Sequence, residues 1–118
     1  ESVRLTNVTE VEFFPDAEVE KLIPSNAKLT LYRIIQEQIN NIMKHAEATN
    51  VLIELFSEQG HIELIVTDNG KGFNINTVKK GLGLKNMKSR AELLNGTAEI
   101  CTNENKGCKL TVRIPIIT

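Results

Sequence analysis

The sequence predicts an α/β, two-layer sandwich: a mostly antiparallel mixed sheet of about five strands with helices packed on one face. Three observations lead there. The apolar residues switch repeatedly between a period of two and a period near 3.6. Alternating stretches double back around Gly-containing turns, so their strands pair antiparallel. The helical stretches carry an apolar stripe on one side, which a single sheet face can cover.

The elements follow in order. Residues 1–7 are polar and read as a linker remnant, leaving 8–118 as one domain. Val8 to Phe14 alternates weakly and stops at Pro15-Asp16, a short first strand. Asp16 to Pro24 is either one helical turn or a loop. From Ser25 or Asn26, the apolar residues Tyr32, Ile35, Ile39, Ile42, Met43 and Ala46 recur at steps of three and four, a helix of about five turns. Val51, Ile53 and Leu55 then alternate, Glu58-Gln59-Gly60 turns, and Ile62, Leu64 and Val66 return, a hairpin. Asp68-Asn69-Gly70-Lys71-Gly72 ends the second strand. Gly81-Leu82-Gly83 opens another helix, whose stripe Leu84, Met87, Ala91 and Leu94 reads as core, and Asn95-Gly96 stops it. Thr97 to Cys101 and Cys108 to Ile114 close the chain as a second hairpin, with the two cysteines opposite each other if the turn centres between Glu104 and Asn105.

Composition removes several classes of function. The chain has 118 residues, 41% hydrophobic and 25% charged, with a net charge of −1. That is one folded domain without a basic surface for duplex nucleic acid or an anionic membrane. Four Phe, one Tyr and no Trp make a poor base-stacking platform. No apolar run approaches the ~18 residues needed to span a bilayer. Two cysteines and two isolated histidines form neither a disulfide framework nor a zinc motif. The chain opens on Glu1 with no signal-peptide pattern, as expected of a piece of a longer protein.

Three segments carry chemistry. On the first main helix Glu37, Asn41, Lys44 and His45 fall within about a quarter of the circumference. Alone, such a stripe reads as solvated surface. Its chemical reading is a face for a polyphosphate: an Asn carbonyl for Mg²⁺, a carboxylate to orient a nucleophile, a lysine charge for phosphate oxygens. Asp68-Asn69-Gly70-Lys71-Gly72-Phe73 is a turn with more glycine than a turn needs. An ionised Asp68 is acceptor-only and suits an exocyclic amine such as that of adenine, with Gly72 letting backbone approach the base. Gly81-Leu82-Gly83-Leu84-Lys85-Asn86 fails as a dinucleotide fingerprint, since Asn86 stands at the third glycine position. It still feeds a helix N-terminus, which favours an anion; Arg90 reads as a solvated cation.

In this order the segments resemble one family. "LYRIIQEQINNIMKHAEA", "DNGKGF", "GLGLKNMKSRAELLNG" and the closing "GCKLTVRIP" are similar to the ATP-binding domain shared by gyrase, the ninety-kilodalton heat-shock chaperone, sensor histidine kinases and MutL, and within it to the nitrate-sensor and desaturase-regulating kinases. The resemblance covers Leu31 to Pro115. It implies the Bergerat-type fold, with ATP and Mg²⁺ as cofactors. Glu37 would be the general base or polarising residue and Asn41 the Mg²⁺ ligand, with Lys44 and His45 near the phosphates. Asp68 would take the adenine amine, beside Gly70 and Gly72, and Gly81, Leu82, Gly83 and Leu84 would belong to the nucleotide lid and the helix it opens. The implied activity is phosphoryl transfer from ATP to a histidine on a separate dimerisation domain, and so indirectly to a response regulator. Neither His45 nor His61 suits the acceptor role. The domain would be cytoplasmic, without direct membrane or nucleic-acid contact, whether or not its parent is anchored. Two departures stand out: the Phe73 to Gly81 stretch is short, and Cys108 occupies a position where Thr is usual, so a hydroxyl that helps hold water near adenine becomes a weaker thiol donor. The alternatives are a serine kinase of the anti-sigma-factor type and a non-catalytic, ATP-switched docking module.

Overall fold

Side-chain alternation builds the sheet. The computed structural model describes residues 2–4, 10–71, 84–102 and 107–116, with the backbone alone at 2–4, 45 and 46. Strands β3 (Asn50–Glu58) and β4 (His61–Asp68) form the predicted hairpin, pairing Ile53 with Val66 and Leu55 with Leu64. Their turn places Gln59 at φ 49° and Gly60 at φ 78°, the successive left-handed residues that match strand twist in a two-residue hairpin. β6 (Cys108–Pro115) pairs antiparallel with the other side of β4, and β5 (Thr97–Thr102) with β6. β2 (Glu10–Pro15) joins β3 in parallel, Val11 beside Val51.

One strand is more than expected. Residues 2–4, predicted as linker, form β1 (Ser2–Arg4), antiparallel to β2, so the described sheet has six strands in the order β1-β2-β3-β4-β6-β5. A three-residue edge strand is held by backbone hydrogen bonds on one side, and three residues are too few to carry an alternation to read. The ambiguous stretch after Pro15 contains a single helical turn, α1 (Val19–Leu22), with Val19 fully buried.

The helices cover one face. α2 (Ser25–Asn41) continues as a π-helical turn over Ile42–Ala46, and α3 (Leu84–Leu93) ends at Asn95 (φ 60°), where the Gly96 N–H returns to the Ala91 carbonyl at 2.9 Å. Leu84, Met87 and Ala91 are buried as the stripe predicts. α2 is rotated from expectation. Its buried line runs through Ala27, Leu31, Ile34, Gln38, Asn41 and Ile42, while Tyr32 and Met43 are exposed. The true core direction lies between the apolar and polar stripes, because two amides are part of the interior.

The second hairpin is also one residue out of the predicted register. Thr102 pairs with Cys108 and Cys101 with Lys109. A one-residue slip reverses faces, so Cys101 is exposed and Cys108 buried, both unbridged. Among the described residues no helix is long and apolar enough to cross a membrane.

Candidate functional site

The chemistry gathers where β4 ends against the C-terminal part of α2. Alternation along β4 puts Ile62, Leu64, Val66 and Asp68 on the helix-facing side, so the last of these is a carboxylate in a position three apolar residues have already prepared. Asp68 is only 4% exposed. Its Oδ1 accepts the Gly70 N–H at 2.8 Å, and its Oδ2 is buried with no hydrogen-bond partner. Burial pushes the Asp68 carboxyl above the usual carboxylate range, and the Gly70 N–H offsets part of the rise. An ionised oxygen in this condition is an acceptor lacking a donor.

Neighbouring elements hold that carboxylate in place. Cys108 lies directly opposite Asp68 in the β4–β6 register. Its thiol is pushed up to about 12, mainly by burial and then by the Asp68 charge, so it stays protonated and poorly reactive at neutral pH. Gly107, at φ 84°, packs so closely that a Cβ would overlap the Asp68 carbonyl oxygen. Asn69 ties the turn to the start of β3: its Oδ1 accepts the Thr49 and Asn50 N–H groups at 3.0 and 2.9 Å, and its Nδ2 donates to Thr49 Oγ1 at 2.9 Å. Asn69→Ala removes these bonds, together with a longer one from Nδ2 to Asn50 Oδ1 at 3.5 Å, at an exposed site where water replaces some of them, and is expected to lower stability by about 1–2 kcal/mol. Thermal melting checks this, and an unchanged midpoint would show that the tie is dispensable.

On α2, Asn41 is buried and donates from Nδ2 to Gln38 Oε1 at 3.5 Å; Gln38 in turn donates from Nε2 to Cys108 Sγ at 3.6 Å. Glu37 is half-buried one turn before Asn41, and Lys44 is exposed in the π-helical turn. π-type turns are rare, and those that occur are frequently found at functional sites.

The structure therefore brings Asn41, Asp68 and Gly70 together with Gln38, Cys108 and Gly107. Gly72, Gly81, Leu82 and Gly83 lie outside the described residues, as does the His45 side chain. Leu84 opens α3 with its side chain in the core. Sequence reasoning missed Gln38, which as a polar residue reads as surface, and Gly107, whose only signal is a glycine directly before a buried strand. Asn69 was legible merely as a turn residue.

The donor set suits an adenine nucleotide with a hard cation. The orphaned Asp68 oxygen fits an amine donor, and Asn41 and Glu37 offer amide and carboxylate oxygens of the type Mg²⁺ takes. Among the described residues no cluster of three His, Cys, Asp or Glu side chains could cage a metal.

Comparison with known proteins agrees. Sensor protein VraS of Staphylococcus haemolyticus is 37% identical over 95 residues, 80% of this chain and 27% of that protein. The sensor histidine kinase LiaS of Bacillus subtilis is 40% identical over 87 residues, 73% of this chain and 24% of that protein. The chain thus spans about a quarter of the length of these curated relatives. The ATP-binding domain of PrrB from Mycobacterium tuberculosis superposes with a TM-score of 0.74 at 24% identity, over 97% of this chain and 85% of that one. The blue-light-activated histidine kinase EL346 of Erythrobacter litoralis gives 0.78 at 16% identity, over 94% and 36%. These two likenesses establish the fold. The family model of histidine kinase-, DNA gyrase B- and HSP90-like ATPases matches residues 26–118, and the chain belongs to that family.

Proposed function

We propose that this chain is the ATP-binding catalytic domain of a sensor histidine kinase, cytoplasmic in its parent protein, which presents Mg-ATP to a histidine on a dimerisation domain and so feeds a response regulator. The observation that carries the reading is the buried, unpartnered Oδ2 of Asp68 at the end of β4, opposite Cys108, whose thiol is linked through Gln38 to the Asn41 amide on α2. Relatives that are named sensor kinases support the choice within the family.

The chain's own residues would act by positioning. Asp68 accepts a hydrogen bond from the adenine amine and rejects guanine, whose carbonyl at that place brings no donor. Asn41 offers its carbonyl oxygen to the cation, and Glu37 orients or deprotonates the attacking imidazole. Lys44 contributes a point charge to phosphate oxygens. Bound Mg²⁺ would supply neutralisation of phosphate charge. The acceptor comes from elsewhere: His61 begins β4 and Asp68 ends it, roughly 23 Å away along an extended strand.

Calorimetric titration with ATP, ADP and GTP, with and without Mg²⁺, tests the reading. Adenine nucleotides are expected to bind, GTP at least about 10-fold more weakly given one charge-assisted bond, and Asn41→Ala is expected to lose most of the gain from Mg²⁺. Absence of binding at millimolar nucleotide would overturn the nucleotide reading, and ATP binding without phosphoryl transfer would point to the docking module instead. Transfer to a serine of a partner protein, rather than to a histidine, would assign the chain to the anti-sigma-factor type.

A further inference from the structure

Gln38 is fully buried, and nothing in its residue type explains why. An apolar side chain of similar length would fill the same space without giving up the hydration of an amide. What the amide adds is direction. Its Oε1 takes the Asn41 Nδ2 hydrogen at 3.5 Å and its Nε2 donates to Cys108 Sγ at 3.6 Å, a link between two residues 70 apart in the chain. Asn41 lies at the expected metal end of the site. Cys108 lies opposite Asp68 at the adenine end.

We propose that Gln38 is a positioning residue that joins the two ends of the nucleotide site, setting the Asn41 amide and the Cys108 thiol through one buried hydrogen-bonded chain. The inference rests on the nucleotide reading above. With Asn41 Nδ2 turned to Gln38, its carbonyl oxygen is directed away from Gln38, the orientation in which a hard cation meets oxygen and not N–H. A single neutral hydrogen bond biases such an orientation by about 2- to 12-fold. The second arm acts on the thiol. Because Sγ accepts from Gln38, its own hydrogen is turned away from the amide, and with the Thr102 side chain as the thiol's other partner the group is held in place opposite Asp68.

The test is calorimetric titration of the chain with ATP and ADP, each with and without Mg²⁺, using wild type, Gln38→Met, Gln38→Glu and Cys108→Ala, with circular dichroism to verify the fold. Gln38→Met is expected to lower Mg-ATP affinity and to shrink the ratio of affinities with and without Mg²⁺ by about 3- to 10-fold, within the bias of one hydrogen bond. Cys108→Ala is expected to weaken ATP and ADP alike and leave that ratio intact. Gln38→Glu, titrated above the pH at which its buried carboxyl ionises, still accepts from Asn41 and gives nothing to Cys108. It should keep the Mg²⁺ ratio while losing adenine affinity. A purely structural Gln38 would change melting temperature and neither ratio. A folded Gln38→Met with the wild-type ratio overturns the proposal and leaves the nucleotide reading standing. A wild type that binds no adenine nucleotide overturns both. Should Gln38→Met fail to fold, Gln38→Glu decides: adenine affinity and Mg²⁺ ratio both unchanged would refute the coupling.

Discussion

Asp68→Asn is expected to abolish most nucleotide affinity while making the unliganded domain more stable. The variant keeps the shape of the side chain and can still accept the Gly70 N–H through its carbonyl oxygen. At the other position an NH₂ replaces the orphaned oxygen, so a donor faces the adenine amine. Loss of one charge-assisted bond corresponds to about 10- to 150-fold weaker ATP binding. The gain in stability follows from linkage. Burial raises the carboxyl's pKa in the folded chain above its unfolded value, so the folded state holds that proton more readily than the unfolded state does. The ionised carboxylate therefore lowers stability at neutral pH, and the penalty lifts as pH falls through the folded pKa. A neutral amide removes it at every pH, and a rise in melting temperature is expected. Wild-type ATP affinity should also fall on acidification at a pH above the ordinary carboxylate range, a limb the variant lacks. An Asp68→Asn protein that binds ATP within twofold of wild type would remove this carboxylate from adenine recognition.

Gly107→Ala is the substitution expected to damage both fold and site. Two effects combine there. The residue sits at φ 84°, which costs an L side chain ~1–2 kcal/mol. A Cβ would in addition overlap the Asp68 carbonyl oxygen, and backbone does not yield as a flexible side chain does. Together they are expected to destabilise the domain by about 3 kcal/mol or more. Gly60 supplies the comparison, since its φ of 78° is similar but nothing lies within 4 Å of its Cβ position. Gly60→Ala should show the conformational strain alone and leave ATP affinity untouched, being at the other end of the β3–β4 hairpin. The difference between the two melting temperatures isolates the close approach. Equal midpoints, with ATP binding retained in Gly107→Ala, would show that β4 and the Gly107 turn are not in contact as described.

Much of the fold is legible in the sequence. Alternation in Val51 to Val66 is strong because one face is buried against helices, and that pattern leaves a single register possible. Asp68 could be placed because it continues the same alternation and precedes two glycines. Gln38 could not. Polarity is the signal by which a sequence marks its surface, and a buried amide satisfied by partners three and seventy residues away looks identical to an exposed one. β1 escaped for a different reason: an edge strand held by its backbone needs no side-chain pattern. The cysteine hairpin differs from expectation by one residue because the sequence between Thr102 and Cys108 has no residue pair that fixes a loop type.

The placement of β4 has a consequence for how a ligand could leave. β4 is an interior strand, paired over all eight residues with β3 on one side and with β6 on the other. Amides in such a strand open to solvent only when most of the sheet comes apart, so they belong to the slowest-exchanging part of a domain. The carboxylate proposed to read the base is thus fastened to the least yielding part of the chain. On that reading a departing nucleotide would leave Asp68 where it was.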